Sequence, residues 1–389
     1  MLQVEVIDDL DTARSLGPAW DELAVGQAVP LCAPGWMLSW WQHMAPADSE
    51  LRIVAVREGS QLIALAPWFS QRGERSRVDV RFLGAEISDR VDILCLPGRE
   101  GEVASELRGT IMGLDVRPDL VAFEAVPVGS QWTRRLAAGP GGRARLSPYR
   151  NSVIPAPTVS LPQDGSDFEA WMAGRSSNFR GQMRRMRRRL EGKGGRVRQI
   201  VDPGEVGPAL DVMLRLHAAR WERRAPSGLT RPEVREMLHA AAAALGPDRI
   251  RLWAAEIDGT PISIQLFLAG GGEIKYWNGG WMEEHADLKP TMLTILAALE
   301  DGIARGERRL DLGAGTHPYK MRFADGEDPL TWGGLILRNA RWPRTRAELM
   351  PLLLRYRAKR AVEALPAPLT DRLEAARRSH RGSNLSAGG

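Results

Sequence analysis

The chain has 389 residues, a formal net charge of +5, 43% hydrophobic and 26% charged residues. That balance excludes wholesale disorder, and the length exceeds one ordinary core, so two domains or one duplicated domain are expected. The basic side is 48 Arg against 5 Lys, a bias typical of GC-rich coding, and the charge is unevenly placed: residues 175–198 carry a net +9 and residues 338–381 a net +8, which leaves −12 on the remainder. Two basic segments on an acidic body favour phosphate as a partner, in a nucleic acid, a lipid head group or a nucleotide.

In chain order, a strand is predicted at 3–7 and a helix around 13–23. Residues 23–47 carry no charge, but Pro30, Pro34, Gln27, Gln42 and His43 interrupt them. A Trp-rich buried helix at 36–43 is therefore expected, not a membrane span. The N-terminus is acidic and lacks the basic-then-apolar order of a signal peptide. Cys32 and Cys95 form no metal or disulfide pattern, so a reducing, cytoplasmic setting is expected. Strands at 51–57 and 61–69 flank Glu58-Gly59-Ser60 as a hairpin. Further strands are expected at 81–84, 91–96 and 120–125, with a helix at 102–114 and a glycine-rich linker at 139–142.

The second half opens with helices at 167–174 and 177–191, then 206–223 and 232–245. Strands at 250–257, 261–268 and 273–281 follow, joined by Asp258-Gly259 and by Gly270-Gly271-Gly272. A helix at 291–305 begins after Pro290, a strand at 309–312 ends in Gly313-Ala314-Gly315, and a last strand at 333–337 precedes a helical, Arg-rich tail. Hairpins feeding a helix and a further strand indicate a mixed α/β fold.

Four stretches could carry chemistry. In the basic helix, Phe179, Met183, Met186 and Leu190 fall on one apolar stripe, and the arginines occupy the rest. A solvated charged face is the plain reading, and a phosphate-binding surface the sharper one, with Arg175-Ser176-Ser177-Asn178 supplying caps and free N–H groups. The second is the passage from Asn278-Gly279-Gly280 through Lys289-Pro290-Thr291 into a helix, whose first turn offers N–H donors to a pyrophosphate. No P-loop or dinucleotide-binding glycine motif is present. The third is LDLGAGTHPYKMRF at 310–323, where Asp311 ends a strand and His317, Tyr319, Lys320 and Arg322 crowd its exit. The fourth is Leu210, Met213, His217 and Trp221 at helical spacing, with His217 on the apolar stripe and Arg220 beside it. The six histidines show no metal-ligand spacing, and G-x-S-x-G is absent, which disfavours a metal site and an α/β-hydrolase.

Taken together, Trp20-Asp21-x-Leu23, Trp36/Trp40, IALAPWF, RFLGAEISDRVDILCLP, R-x-x-N-x-R at Arg175, Asn178 and Arg180, H-x-x-R-W at His217, Arg220 and Trp221, Asp258-Gly259-x-Pro261-Ile262 and LDLGAGTHPYK resemble, in order and spacing, one family. It is the GNAT-superfamily acyltransferases of the type linked to cellulose-biosynthesis protein CelD, related to Fem-type aminoacyl transferases. The resemblance implies two tandem GNAT-like lobes, at 1–150 and 151–345, and a basic helical tail at 346–389 with a disordered end. It implies an acetyl-CoA or other acyl-CoA donor, no metal, and direct attack by an amine of an amino sugar or polysaccharide precursor. Carried over by residue, Lys320 stabilises the oxyanion or phosphate, Tyr319 protonates the thiolate, and Asp311 or His217 is or orients the base. Lys289, Thr291, Asn278 and Gly280 would hold the donor. Arg175, Asn178, Arg180 and Arg220 would bind phosphate or an anionic acceptor. One departure stands out: relatives often have a Pro-Gly pair where this chain has Lys289-Pro290-Thr291, which leaves a donor other than CoA open. The alternatives are a Fem-like transferase fed by aminoacyl-tRNA and a non-catalytic GNAT-like binding protein of polysaccharide synthesis, the latter kept open by the 13 Trp.

Overall fold

A computed structural model describes residues 1–73, 76–138, 145–221 and 227–363. The linker expected at 139–142, the loop at Pro226 and the chain end beyond residue 363 lie outside the described residues. The expected class, mixed sheets flanked by helices, is the one found. A four-stranded antiparallel sheet joins Leu2–Ile7, Ile53–Glu58, Gln61–Ala66 and Leu94–Cys95. A six-stranded sheet runs Ser49–Leu51, Trp68–Arg72, Val78–Phe82, Leu120–Pro127, Leu330–Leu337, Leu146–Ile154. A seven-stranded sheet runs Gly195–Ile200, Ile250–Ile257, Thr260–Gly270, Glu273–Trp281, Arg309–Asp311, Pro157–Ser160, Gly326–Glu327.

The six- and seven-stranded sheets share a plan. Each has one parallel pair, made through a helical crossover: Val78–Phe82 with Leu120–Pro127 across helix Glu100–Gly113, and Glu273–Trp281 with Arg309–Asp311 across helix Pro290–Ala304. A parallel pair needs such a crossover because a tight turn cannot return the chain in the same direction.

The chain passes between these sheets twice. Leu146–Ile154 pairs in the six-stranded sheet, and Pro157–Ser160 in the seven-stranded one. Leu330–Leu337, read from sequence as closing the second half, returns to lie between Leu120–Pro127 and Leu146–Ile154. The six-stranded sheet is thus completed by residues more than 170 positions downstream of its nearest local strand. Helix Pro34–Met44 also packs on helix Pro232–Arg249, and Trp36 meets Trp277 edge-on at 5.4 Å between ring centroids. One buried core therefore contains residues of both halves.

Four strands were not expected, Leu146–Ile154, Pro157–Ser160, Gly195–Ile200 and Gly326–Glu327, and all but Pro157–Ser160 lie at sheet edges. Leu146–Ile154 contains Pro148, which only an edge or a bulge tolerates. Gly195–Ile200 holds Arg196 and Arg198, which pair with buried Glu256 on the neighbouring strand. The basic helix Ser177–Glu191 forms as expected. Ser176 caps it by accepting from the Phe179 N–H, and Phe179, Met183, Met186 and Leu190 are buried. Arg187 and Lys193 pair with Glu300 and Asp287. Arg184, Arg185, Arg188 and Arg189 stay exposed. Helix Trp342–Glu363 carries the tail, buries Thr345 and Leu349, and packs along Leu146–Ile154 and Leu330–Leu337.

Candidate active site

The parallel pairing of Glu273–Trp281 with Arg309–Asp311 stops at Lys275 opposite Asp311. Beyond that point the longer strand continues to Trp281, while the other breaks into the Gly313-Ala314-Gly315 turn. A cavity of about 850 Å³ opens where the two part. The longer strand is itself distorted: Leu266 faces Asn278 and Phe267 faces Tyr276, so Trp277 is the extra residue of a bulge.

A buried ionic cluster anchors the turn. Asp311 is fully enclosed, and Lys275 is 1% exposed. The Lys275 Nζ lies 2.9 Å from Asp311 Oδ1 and 2.6 Å from Asp89 Oδ1. Arg90 pairs with the other Asp311 oxygen and, at 2.5 Å, with Asp328. Asp311 also accepts from the Gly313 N–H (2.7 Å), and Asp89 from the Ala314 N–H (2.7 Å). Burial alone would raise the Asp311 carboxyl, but Lys275 and Arg90 outweigh it and hold it well below the usual carboxylate range. Asp89 and Arg90 come from the loop after Val78–Phe82, so the first half of the chain braces the glycine turn of the second.

Lys320 opens the short helix Pro318–Phe323 onto this turn. Its Nζ donates to the carbonyls of Ala314 (2.8 Å) and Gly313 (3.2 Å). Burial, with the nearby Lys275 charge, lowers it to about 8 despite Asp89 and Asp311. An ammonium has three protons, and two are engaged here, which leaves one for the cavity. Tyr319 lines the same wall beside Tyr276; burial raises its phenol, and the bond to Tyr276 partly offsets that. Tyr276 in turn donates to the buried Gln265 Oε1 (2.8 Å).

The opposite wall is helix Pro203–Trp221. His217 is 6% exposed. Its Nδ1 lies 3.1 Å from the Gly279 carbonyl oxygen and its Nε2 2.8 Å from Ser227 Oγ. A carbonyl only accepts, so Nδ1 carries the hydrogen and neutral His217 keeps Nε2 as an acceptor. Burial, reinforced by the Arg220 charge, lowers the imidazole below its usual value against the opposing Gly279 bond. The neutral form therefore dominates at pH 7. Gly280 explains why the helix comes so close: a Cβ there would stand 2.5 Å from the His217 backbone N and the Met213 carbonyl oxygen. Arg220 lies over Trp281 (5.2 Å) and Trp221 (5.8 Å), and its buried Nε finds no acceptor among the described residues.

The structure brings together Lys320, Tyr319, His217, Lys289, Thr291, Asn278 and Arg220, all of which line the cavity. Lys289 takes the left-handed conformation (φ 49°) that turns the chain into helix Pro290–Ala304, and Thr291 follows in its first turn. Asp311 lies beneath the cavity as an anchor, and Gly280 serves helix packing instead of facing the space. The R-x-x-N-x-R residues are elsewhere. Arg175 pairs with Asp325 (2.7 Å) and covers Trp171 (4.2 Å), and Arg180 donates to the carbonyls of Ala173 (2.9 Å) and Arg175. Asn178 is exposed on the same helix. Asp89, Arg90, Lys275, Gln265, Tyr276 and Ser227 had no role in the sequence reading. The rarity of lysine was a usable signal for Lys275 alone.

Residues 177–321 match the family model described as an acetyltransferase (GNAT) domain. That span contains His217, Thr291, Tyr319 and Lys320, so most of the residues singled out around the cavity lie within the matched region. No curated protein matches the sequence. Among solved structures the chain is similar to FemX, with a TM-score of 0.62 and 11% identity over 89% of this chain and 99% of that one. It is also similar to L-PGS from Bacillus licheniformis, with a TM-score of 0.51 and 11% identity over 89% and 97%. At such identities the likeness is one of fold.

Proposed function

We propose that the protein transfers an acyl group from an acyl-CoA thioester to an amine of an amino sugar or polysaccharide precursor. The observation that carries this reading is convergence in one cavity. A neutral imidazole, a buried ammonium with one free proton and the start of a 15-residue helix all face it. An amine needs a base before it can attack, the developing oxyanion needs a donor, and the phosphates of the donor need N–H groups and cations. His217 serves as base, Lys320 steadies the oxyanion, and Tyr319 gives its proton to the departing sulfur. Lys289 and the free N–H of Thr291 fit a pyrophosphate, and Asn278 borders the strand gap. Asp311 acts through others: with Lys275 it sets the Gly313–Gly315 turn whose carbonyls hold Lys320. Arg220, lying over two indoles and with no acidic partner among the described residues, fits an anionic group of the acceptor or donor. Arg175 and Arg180 hold chain to chain, and Asn178 is exposed and does not line the cavity.

The exposed Arg184, Arg185, Arg188 and Arg189 favour a second reading, an aminoacyl-tRNA donor, since each phosphate neutralised adds salt-dependent affinity. A non-catalytic binding role fits less well, because it gives the free Lys320 proton and neutral His217 no task. Among the described residues no helix is long and apolar enough to cross a membrane. A thermal melt with acetyl-CoA and with bulk tRNA separates these readings. A ligand that binds only the native state stabilises by about 2.7 kcal/mol at a hundredfold excess over Kd. A rise with acetyl-CoA supports the first reading; a rise with tRNA alone, abolished by moderate salt, replaces it with the second. A melt that neither ligand shifts refutes both.

A further inference from the structure

Ser227 stands where the base meets the cavity. It lines the space together with His217, and its Oγ sits 2.8 Å from His217 Nε2, the only imidazole nitrogen able to take a proton. The substrate amine therefore meets the hydroxyl in front of the ring nitrogen. A hydroxyl has one proton and two acceptor positions. The proton goes to Nε2, and one acceptor position takes the Leu229 N–H at 3.3 Å. Among the described residues nothing takes the second acceptor position, which faces the cavity as the place for a donor.

We propose that Ser227 is a catalytic residue that relays the acceptor's proton to His217, and this rests on the acyl-transfer reading above. The ammonium N–H passes its proton to Ser227 Oγ as the Oγ–H passes to Nε2. The freed amine forms its N–C bond at the thioester carbonyl, and the C–S bond breaks. Tyr319 gives its proton to the sulfur and takes the second amine proton in return, and His217 releases the first to solvent. Both protonation states of His217 use the same contacts: Nδ1–H stays on the Gly279 carbonyl, and Nε2 alternates between accepting from Oγ and donating to it. The relay thus requires no ring flip. Serine and histidine here are ten positions apart, on a helix end and on the turn Gly228–Thr230 beyond it.

The test must separate the hydroxyl's chemistry from its second task, capping that turn. Threonine and asparagine both cap well, but only threonine carries a hydroxyl. Steady-state thiol release from acetyl-CoA is measured with glucosamine and a panel of other amines. Ser227→Thr is expected to stay within a few fold of the unaltered protein. Ser227→Asn is expected to lose about a hundredfold in kcat with KM for acetyl-CoA unchanged, the scale of a general-base contribution. An Asn variant with full kcat overturns the relay and leaves the transferase reading standing. An acetyl adduct on Ser227, seen by mass spectrometry when acceptor is withheld, also overturns it, since the serine would then be a nucleophile. Absence of thiol release by the unaltered protein with every amine refutes the acyl-CoA reading and the relay with it.

Discussion

Replacing Lys275 by methionine removes a cation that faces two carboxylates from inside the core. The methionine keeps most of the volume and leaves Asp311, with no exposure, holding Arg90 on one oxygen and the Gly313 N–H on the other. Breaking a buried pair at one partner costs about 3–5 kcal/mol, and the two surviving contacts place this case near the lower end, about 3 kcal/mol. Urea unfolding at pH 7 measures it. The pH dependence supplies a second, independent check. In the unaltered protein the Asp311 carboxyl is depressed in the folded state, so its stabilisation is present above the unfolded value of about 3.9 and is lost only as pH falls through the lower folded value. Without Lys275, burial is less fully offset and the folded value lies higher than in the unaltered protein. Acidification therefore costs the variant less stability than it costs the unaltered protein, so the deficit shrinks as pH falls through the carboxylate range. A second substitution, Asp311→Asn, should recover part of the loss. A deficit below about 1 kcal/mol, or one that does not change with pH, refutes the claim that this pair anchors the turn.

The remaining predictions concern the cavity. The rate should follow a bell-shaped pH profile: its acid limb reflects neutral His217 and lies below the usual imidazole value, and its alkaline limb reflects protonated Lys320 near 8. A profile flat through pH 8 removes Lys320 from the chemistry. Lys320→Met should lower kcat about 10²–10³-fold, the cost of losing one oxyanion donor, with the KM of acetyl-CoA little changed. Gly280→Ala places a Cβ 2.5 Å from helix backbone, so it should destabilise by about 1–3 kcal/mol in urea and reduce kcat by displacing His217. Arg220→Lys keeps the charge but loses the planar guanidinium lying over Trp221 and Trp281, so it should raise KM for an anionic substrate; unchanged kinetics would exclude an anion there.

Much of the second half was legible because its signals are local. The stripe Phe179, Met183, Met186, Leu190 names the buried face of its helix, and Asp258-Gly259 names its hairpin turn. Periodicity and turn chemistry act over a few residues, and both survive in the folded chain. Strands Leu146–Ile154 and Gly195–Ile200 escaped because edge strands need not alternate cleanly: one tolerates Pro148, and the other exposes arginines to neutralise a buried glutamate.

The candidate site divides along the same line. From sequence came His217, Tyr319 and Lys320, all next to recognisable local features: an apolar stripe, a strand end and a glycine turn. The R-x-x-N-x-R residues were equally conspicuous, yet Arg175 and Arg180 are occupied by Asp325 and by backbone carbonyls. A cluster of charge in sequence does not say whether its partners are ligands or the rest of the chain. Asp89, Arg90, Lys275 and Ser227 became visible only in three dimensions. Their task depends on contacts spanning up to 238 positions, as between Arg90 and Asp328. The sequence by itself determined most of the elements, the class of fold and the side chains proposed for acyl transfer. Tertiary structure decided which of them share a cavity, because burial chooses the ion pairs: inside the core a charge must find an opposite one wherever in the chain it lies.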